Sequence, residues 1–258
     1  MDTVFVEPAP RLAISVAGHG PLVLFLHGIR GNRRNWAGQV EFFSRQGFKA
    51  AAWDARGYGD SEDYEGPLQF DYFLGDVLRV IEHLKADKIH LVGLSMGGRI
   101  ARNFALRYGD HLHSLTLISS TPGFDALSND RVRQFITERR SQTPQSLQKL
   151  LGSKANRAAY GELLDSVARI HEISYQKTLQ ASVTQDRTAQ LEKIRVPTLV
   201  IAGEEDTVYP PEIAREMARR IPGAELLMFE QTGHLANLEQ PERFNQAVID
   251  FLKRQEKR

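Results

Sequence analysis

Short apolar runs alternate along the chain with stretches in which apolar residues recur every three or four positions. Runs such as LVLFL and TLVIA are apolar at nearly every position, as expected for strands covered on both faces. The pattern predicts strands at 11–18, 21–28, 48–54, 88–93, 114–119, 197–203 and 225–230. Strands that alternate with helices in this way indicate an α/β protein built around a parallel sheet.

The helical stretches are of two kinds. Some lie between predicted strands or follow the last one, at 70–85, 211–220 and 241–257, and the last two begin at a proline, whose missing N–H costs nothing at a helix start. By contrast, residues 121–188 contain no clear strand and several amphipathic pieces, such as DRVRQFITERR and RAAYGELLDSVARIHEI. We interpret this region as a helical insertion on the α/β core, which resumes at LEKIRVPTLVIAG.

Composition narrows the class of protein. The formal net charge of +1 gives no electrostatic reason to expect a nucleic acid or an anionic membrane as a partner. The chain has no cysteine, so disulfides and a thiol nucleophile are excluded. It starts without a basic segment or a long apolar stretch, which favours a cytoplasmic protein. Because neither metal-ligand spacing nor a phosphate-binding glycine loop occurs, we expect no metal and no cofactor.

One serine has the surroundings of a nucleophile. The predicted strand KIHLVG ends at Gly93, and Ser95 then stands between Gly93 and Gly97 at the start of a helical pattern. A strand that turns abruptly into a helix strains its apex residue and exposes that side chain above the sheet. The residues two positions before and after the apex then lie close to each other, so a Cβ at either position would clash. The pattern therefore predicts that Ser95 is a nucleophile.

A serine nucleophile needs a base and an orienting acid. Of eight histidines, His234 is the one that follows the last predicted strand and precedes the final helix, which places it at the carboxyl edge of the sheet. The acid is expected beyond another strand end, where Glu204, Glu205 and Asp206 stand together. We select Asp206, with Asp125 as second choice, and interpret both glutamates as solvated loop charges.

Five segments together resemble the α/β-hydrolase superfamily: FLHGIRGNRRNW, WDARGYGDS, GLSMGG, PTLVIAGEED and TGHLANLEQPE. The order Ser, Asp, His is also that of the superfamily. The resemblance runs from about Leu22 to the C-terminus and is greatest with 3-oxoadipate enol-lactonase-like hydrolases and carboxylesterases. It implies a mostly parallel central sheet flanked by helices, with a core of residues 1–120 and 189–258 and a helical cap of residues 121–188. It also implies an oxyanion hole made by the backbone N–H groups of Ile29 and Met96.

The expected activity is cleavage of a carboxylic ester or lactone of a small organic acid through an acyl-enzyme. Ser95 attacks the carbonyl, His234 accepts the serine proton and Asp206 orients the imidazole. Two alternatives stay open at this stage: a carbon–carbon bond hydrolase of ring-cleavage products, and a low-turnover ligand-binding receptor of the same fold.

Residues that contact the substrate are less well marked by sequence. Three arginines, Arg30, Arg33 and Arg34, lie beside the expected oxyanion loop. A guanidinium such as that of Arg33 can bind a substrate carboxylate through two hydrogen bonds. The alternative is that these arginines are solvated loop charges. Trp36, Phe124 and Tyr209 are expected near the site edges as parts of an apolar pocket, with core or lid packing as the alternative. The charges of WDARGYGDS are expected to brace their loop, and His27 to be structural.

Overall fold

A computed structural model describes residues 1–124, 127–140, 143–187 and 189–256. Its centre is an eight-stranded sheet with the order β1-β2-β4-β3-β5-β6-β7-β8. The strands are β1 (Asp2–Val6), β2 (Leu12–Ala17), β3 (Leu22–Leu26), β4 (Lys49–Trp53), β5 (Ile89–Leu94), β6 (Leu112–Ile118), β7 (Thr198–Gly203) and β8 (Glu225–Phe229). All neighbours from β4 to β8 in this order are parallel, whereas β1–β2 and β2–β4 are antiparallel.

The strand that the sequence analysis missed is β1. It pairs with β2 from Asp2↔Val16 to Val6↔Leu12 at one edge of the sheet. Apart from Val6, its residues are exposed or half-buried, because an edge strand has little of the protein packed against it. DTVFV therefore lacks the continuous apolar run that marks the central strands.

Besides short 3₁₀ helices, the described residues also form ten α-helices. They are α1 (Ala37–Arg45), α2 (Tyr72–His83), α3 (Met96–Tyr108), α4 (Asn129–Arg140), α5 (Pro144–Gln148), α6 (Arg157–Val167), α7 (Glu172–Gln185), α8 (Pro211–Arg220), α9 (Ala236–Glu239) and α10 (Pro241–Gln255). The helices α4 to α7 fall within residues 121–188, which we call the inserted segment; they lie between β6 and β7 in sequence. None of the described helices is long and apolar enough to cross a membrane.

Two apolar layers cover the two faces of the sheet, and β3 shows how one strand serves both. Leu24 and Leu26 belong to the layer that contains Ile100 of α3, while Val23 and Phe25 belong to the layer that contains helices α1 and α10. Since successive side chains of a strand point to opposite faces, a strand buried on both faces must be apolar throughout. This is the physical reason for the run LVLFL.

Candidate active site

The serine lies at the bend between β5 and α3. Ser95 has φ 55° and ψ −110°, a left-handed conformation that a side-chain-bearing residue rarely adopts. Its N–H donates a hydrogen bond to the carbonyl of Ile118, 2.8 Å away, which secures the bend against β6.

Gly93 and Gly97 must be glycines because neither position has space for a Cβ atom. A Cβ at Gly93 would lie 2.2 Å from the carbonyl oxygen of Gly97, and a Cβ at Gly97 would lie 2.3 Å from the carbonyl oxygen of Leu26. Both contacts are with backbone atoms, which cannot rotate away. The pattern Gly-x-Ser-x-Gly is thus explained by the packing of the bend against its own helix and against β3.

The imidazole of His234 contacts the carboxylate of Asp206. The distance from Nδ1 of His234 to Oδ2 of Asp206 is 2.8 Å, and both residues are buried. The other carboxylate oxygen, Oδ1, accepts the backbone N–H groups of Val208 at 2.8 Å and Tyr209 at 3.0 Å. Because a carboxylate oxygen accepts hydrogen bonds, Nδ1 of His234 carries a proton and donates a hydrogen bond to Oδ2 of Asp206. Nε2 of His234 is then the nitrogen that can accept a proton.

Ser95, Asp206 and His234 follow β5, β7 and β8, whose carboxyl ends lie at the same edge of the sheet. Ser95 and His234 line the same cavity. The sequence-predicted nucleophile and base therefore share one site, with the sequence-predicted acid bonded to the base. Asp125, the second-choice acid, lies outside the described residues.

The loop after β3 passes directly beside the serine. A Cβ at Gly28 would lie 3.3 Å from Cβ of Ser95, and Ile29 lines the cavity. Met96, the other residue expected to supply a backbone N–H, is the first residue of α3. The first N–H groups of a helix have no acceptor within the helix, so they are available to a developing negative charge.

His27 fixes the direction of the peptide between Gly28 and Ile29. Its Nε2 lies 3.1 Å from the N–H of Ala55 and must accept, so Nδ1 carries the proton and donates to the Gly28 carbonyl, 2.8 Å away. Burial lowers the pKa of His27, which keeps this imidazole neutral. In a trans peptide the C=O and the following N–H point in opposite directions. The N–H of Ile29 is therefore held away from the imidazole.

The cavity is predominantly apolar, and its lining comes both from the α/β core and from the inserted segment. Its leucines come from β5, from the region after β8 and from the inserted segment, which supplies Leu150 and Leu163. The side-chain amide of Asn35 donates to the hydroxyl of Ser166 on α6 at 2.7 Å, joining the loop after β3 to the inserted segment. The lining residues are Gly28, Ile29, Arg30, Gly31, Asn35, Leu94, Ser95, Leu150, Leu163, His234, Leu235 and Leu238.

The arginines of GIRGNRRNW have different roles. Arg30 is buried, lines the cavity and donates from its guanidinium to the backbone carbonyl of Glu138 at 2.5 Å. Arg33 forms a buried ion pair with Asp54 and a second one with Asp60 at 2.6 Å. Arg33 does not line the cavity, in contrast to the expectation of a substrate contact; its charge holds the loop after β3 against the WDARGYGDS loop.

The three aromatic candidates also lie outside the cavity lining. Trp36 is fully buried and stacks on Phe25 with ring centroids 5.0 Å apart, so it is a core residue. Phe124 packs edge-on against Phe135 at 4.8 Å, again as apolar packing. Tyr209 is buried with its ring 5.7 Å from that of His234, so it packs beside His234 and does not line the cavity. For all three the structure favours the packing interpretation.

One buried polar residue near His234 was not predicted from the sequence. Glu239 is buried and accepts the backbone N–H groups of Gly233 and Leu235, both at 2.9 Å, on either side of His234. The available signal was a carboxylate five residues after the histidine, in HLANLE. Among the described residues, no cluster of three or more histidine or acidic side chains could hold a metal ion.

The sequence model of the alpha/beta hydrolase family matches residues 23–247 of this chain. A 2-hydroxy-6-oxononadienedioate/2-hydroxy-6-oxononatrienedioate hydrolase of Paraburkholderia phymatum is 31% identical, over 92% of this chain and 88% of that protein. The 3-oxoadipate enol-lactonase 2 of Acinetobacter baylyi is 25% identical, with 95% of each chain covered. The solved structure of an esterase from Exiguobacterium antarcticum superimposes with a TM-score of 0.87 at 25% identity, covering 96% of this chain and 98% of that one. The resemblance and the fold class predicted from the sequence are confirmed.

Proposed function

Because the chain belongs to the alpha/beta hydrolase family, we propose that it is a serine hydrolase that cleaves a carboxylic ester or lactone of a small organic acid. The observation that carries the proposal is the arrangement of one hydrogen bond and one cavity. His234 is bonded through Nδ1 to Asp206, and the same imidazole lines a cavity with Ser95. Because Nδ1 bonds to Asp206, Nε2 is the imidazole nitrogen that can accept the proton of the Ser95 hydroxyl in this cavity.

In the proposed mechanism, His234 accepts the hydroxyl proton while Ser95 attacks the substrate carbonyl. The buried carboxylate of Asp206 stabilises the imidazolium that forms. Negative charge on the carbonyl oxygen is stabilised by the N–H groups of Ile29 and Met96. His234 then protonates the leaving group and activates the water that releases the acyl-enzyme.

We further propose that the inserted segment acts as the cap of this site. Leu150 and Leu163 line the cavity, and both come from the inserted segment. The apolar walls suit the hydrocarbon part of a small acyl or lactone substrate. Support for an ester or lactone substrate comes from the enol-lactonase and esterase relatives.

A second candidate function is hydrolysis of a carbon–carbon bond in a ring-cleavage product. It is favoured by one observation, the 31% identity to a hydrolase named for a dienedioate substrate. The same serine, histidine and aspartate would serve, so the two functions differ in substrate and not in the residues at the site.

The test is a panel of activated esters, an enol-lactone and a 2-hydroxy-6-oxo-dienedioate, assayed with the wild type and with Ser95→Ala. We expect turnover of esters or the lactone, with kcat lower by about 10⁴- to 10⁶-fold in Ser95→Ala. Ser44→Ala, a hydroxyl on α1 bonded to the Glu41 carbonyl, is the matched control and should behave as the wild type. Ester hydrolysis unchanged in Ser95→Ala would refute the proposal, and a kcat/KM about 100-fold higher for the dienedioate would establish the second function instead.

A further inference from the structure

Part of the inserted segment contacts the loops that carry both the acid and the base. We call residues 149–154 the bridging segment. His234 donates its backbone N–H to the carbonyl of Leu150 at 2.7 Å, and the N–H of Lys154 bonds to the carbonyl of Gln231 at 3.1 Å. On the other side, the hydroxyl of Thr207, next to Asp206, donates to the carbonyl of Lys149 at 3.0 Å. The bridging segment thus holds both loops by hydrogen bonds.

The backbone of the bridging segment at Gly152 lies directly against the backbone at Gly233, the residue before His234. A Cβ at Gly152 would lie 2.5 Å from the backbone nitrogen of Gly233, and a Cβ at Gly233 would lie 2.6 Å from that of Gly152. Each glycine therefore leaves the space that the other backbone occupies. Any side chain at either position would separate the bridging segment from the residue that precedes His234.

A buried carboxylate lies at this junction. Oε2 of Glu239 accepts the N–H of Gly152 at 2.7 Å and that of Gly233 at 2.9 Å, while Oε1 accepts the N–H of Leu235 at 2.9 Å. Glu239 is only 4% exposed, and no arginine or lysine ion pair with it is present in the described part of the chain. Backbone N–H groups thus supply the polar partners that a buried carboxylate needs.

We propose that Glu239 is a positioning residue that fixes His234 and the bridging segment in a single arrangement, so that the base is in place only when the inserted segment is docked. The inference rests on the proposed function, because it assigns to Glu239 a role in the alignment of the catalytic base. It makes the inserted segment a support of His234 as well as a wall of the cavity.

The hydrogen-bond inventory shows why a carboxylate is needed. All three partners are N–H donors, and only an ionised carboxylate presents acceptors alone on both oxygens. In Glu239→Gln one of the two oxygens becomes an NH₂ group that faces an N–H donor. Either orientation of the amide leaves at least one of the three N–H groups without an acceptor.

The first experiment compares the wild type with Glu239→Gln by two independent measurements. Steady-state hydrolysis of an activated ester should show kcat lower by about 10- to 100-fold with KM within about 3-fold, since a small displacement of a catalytic group affects the reaction more than binding. Proton NMR should show that the downfield Nδ1–H signal of His234, assigned by its absence from His234→Ala, is shifted or lost. A role confined to folding would not change that signal in folded protein.

A second pair of variants acts on the same junction without changing Glu239. Gly152→Ala forces the bridging segment away from Gly233 and should reproduce both effects. Gly161→Ala, in α6 of the same inserted segment, has open space around it and should leave both measurements unchanged. Glu205→Gln is the matched carboxylate control: Glu205 binds the N–H and hydroxyl of Ser153 in the bridging segment, but its side chain is exposed. We expect its kcat within about 3-fold of the wild type.

The outcomes separate this inference from the proposed function. If the wild type hydrolyses esters and folded Glu239→Gln keeps the wild-type kcat and Nδ1–H signal, the inference is wrong. If Glu239→Gln does not fold, Gly152→Ala decides in the same way. If the wild type hydrolyses no member of the panel, the proposed function fails, and the NMR signal in Glu239→Gln and Gly152→Ala still decides whether the junction positions His234.

Discussion

Two substitutions of His27 should separate the activity of the site from the stability of the fold. The imidazole makes one hydrogen bond from each nitrogen: Nδ1–H donates to the Gly28 carbonyl at 2.8 Å, and Nε2 accepts the N–H of Ala55 at 3.1 Å. In His27→Asn the amide nitrogen can occupy the position of Nδ1, which keeps the first bond only. In His27→Gln the amide oxygen can occupy the position of Nε2, which keeps the second bond only.

The two losses have different consequences. In His27→Gln the Gly28 carbonyl retains the Gly31 N–H at 2.9 Å, but the peptide that presents the Ile29 N–H is held by one bond instead of two. Complete loss of one oxyanion-hole donor costs about 10²- to 10³-fold in kcat, so this partial loss should cost about 10- to 100-fold. In His27→Asn the buried N–H of Ala55 has no acceptor, which should lower the free energy of unfolding by about 1–3 kcal/mol.

The assay combines kcat and KM for an activated ester, inhibition by a boronic acid, and urea unfolding. A boronic acid forms a tetrahedral adduct with a serine, so its affinity should fall in parallel with kcat in His27→Gln, while KM changes little. His27→Asn should keep kcat within about 5-fold and unfold at a lower urea concentration. Equal kcat in the two variants, or a fully active and stably folded His27→Gln, would refute the reasoning from the peptide orientation.

Three further predictions follow from buried polar contacts. Asp206→Asn should keep its backbone contacts and turn its NH₂ toward His234, which imposes the wrong tautomer; we expect kcat lower by about 10³- to 10⁴-fold at unchanged urea midpoint. Arg33→Met should leave Asp54 as a buried unpaired charge and lower the free energy of unfolding by about 3–5 kcal/mol, with the same KM ratio between carboxylated and neutral esters as the wild type. Burial lowers the pKa of His90 to about 4, so His90 is protonated at a higher pH in the unfolded chain than in the folded protein. The contribution of neutral His90 to the free energy of unfolding should be fully present above about pH 6.5 and should fall by about 3 kcal/mol as the pH falls to 4. Urea titrations at each pH should show a smaller loss in His90→Gln.

The central strands and the serine bend were predictable because local physics dictates their sequence. A strand covered on both faces must be apolar at every position, as in β3, and a bend packed against backbone atoms must have glycine on both sides of Ser95. The positions of His234 and of the acidic loop 204–206 followed from the rule that parallel strands end at one edge, although that rule alone does not select Asp206 from its two neighbours. Each of these signals lies within a few residues of the feature that it predicts.

The role of Arg33 could not be predicted in the same way. Its partner Asp54 is 21 residues away in the sequence, and their contact depends on where two loops meet above the sheet. A charged residue in a loop has the same local sequence pattern whether it faces solvent, a substrate or a buried carboxylate. For Arg33 the first two cases were expected from the sequence, and the structure shows the third.

The wall of the cavity was unpredictable for a related reason. An amphipathic helix specifies that one face is buried but not what covers it, so the pattern of α6 does not distinguish packing on a neighbouring helix from packing over Ser95. Leu163 lines the cavity because Asn35 bonds to Ser166 one turn further along α6, and Leu150 lines it because its carbonyl is bonded to the backbone N–H of His234. Both contacts join residues that are more than 80 positions apart. Under the proposed function, substrate selection therefore depends on tertiary contacts of the inserted segment, whereas the residues proposed for the reaction itself are set by short motifs at the strand ends.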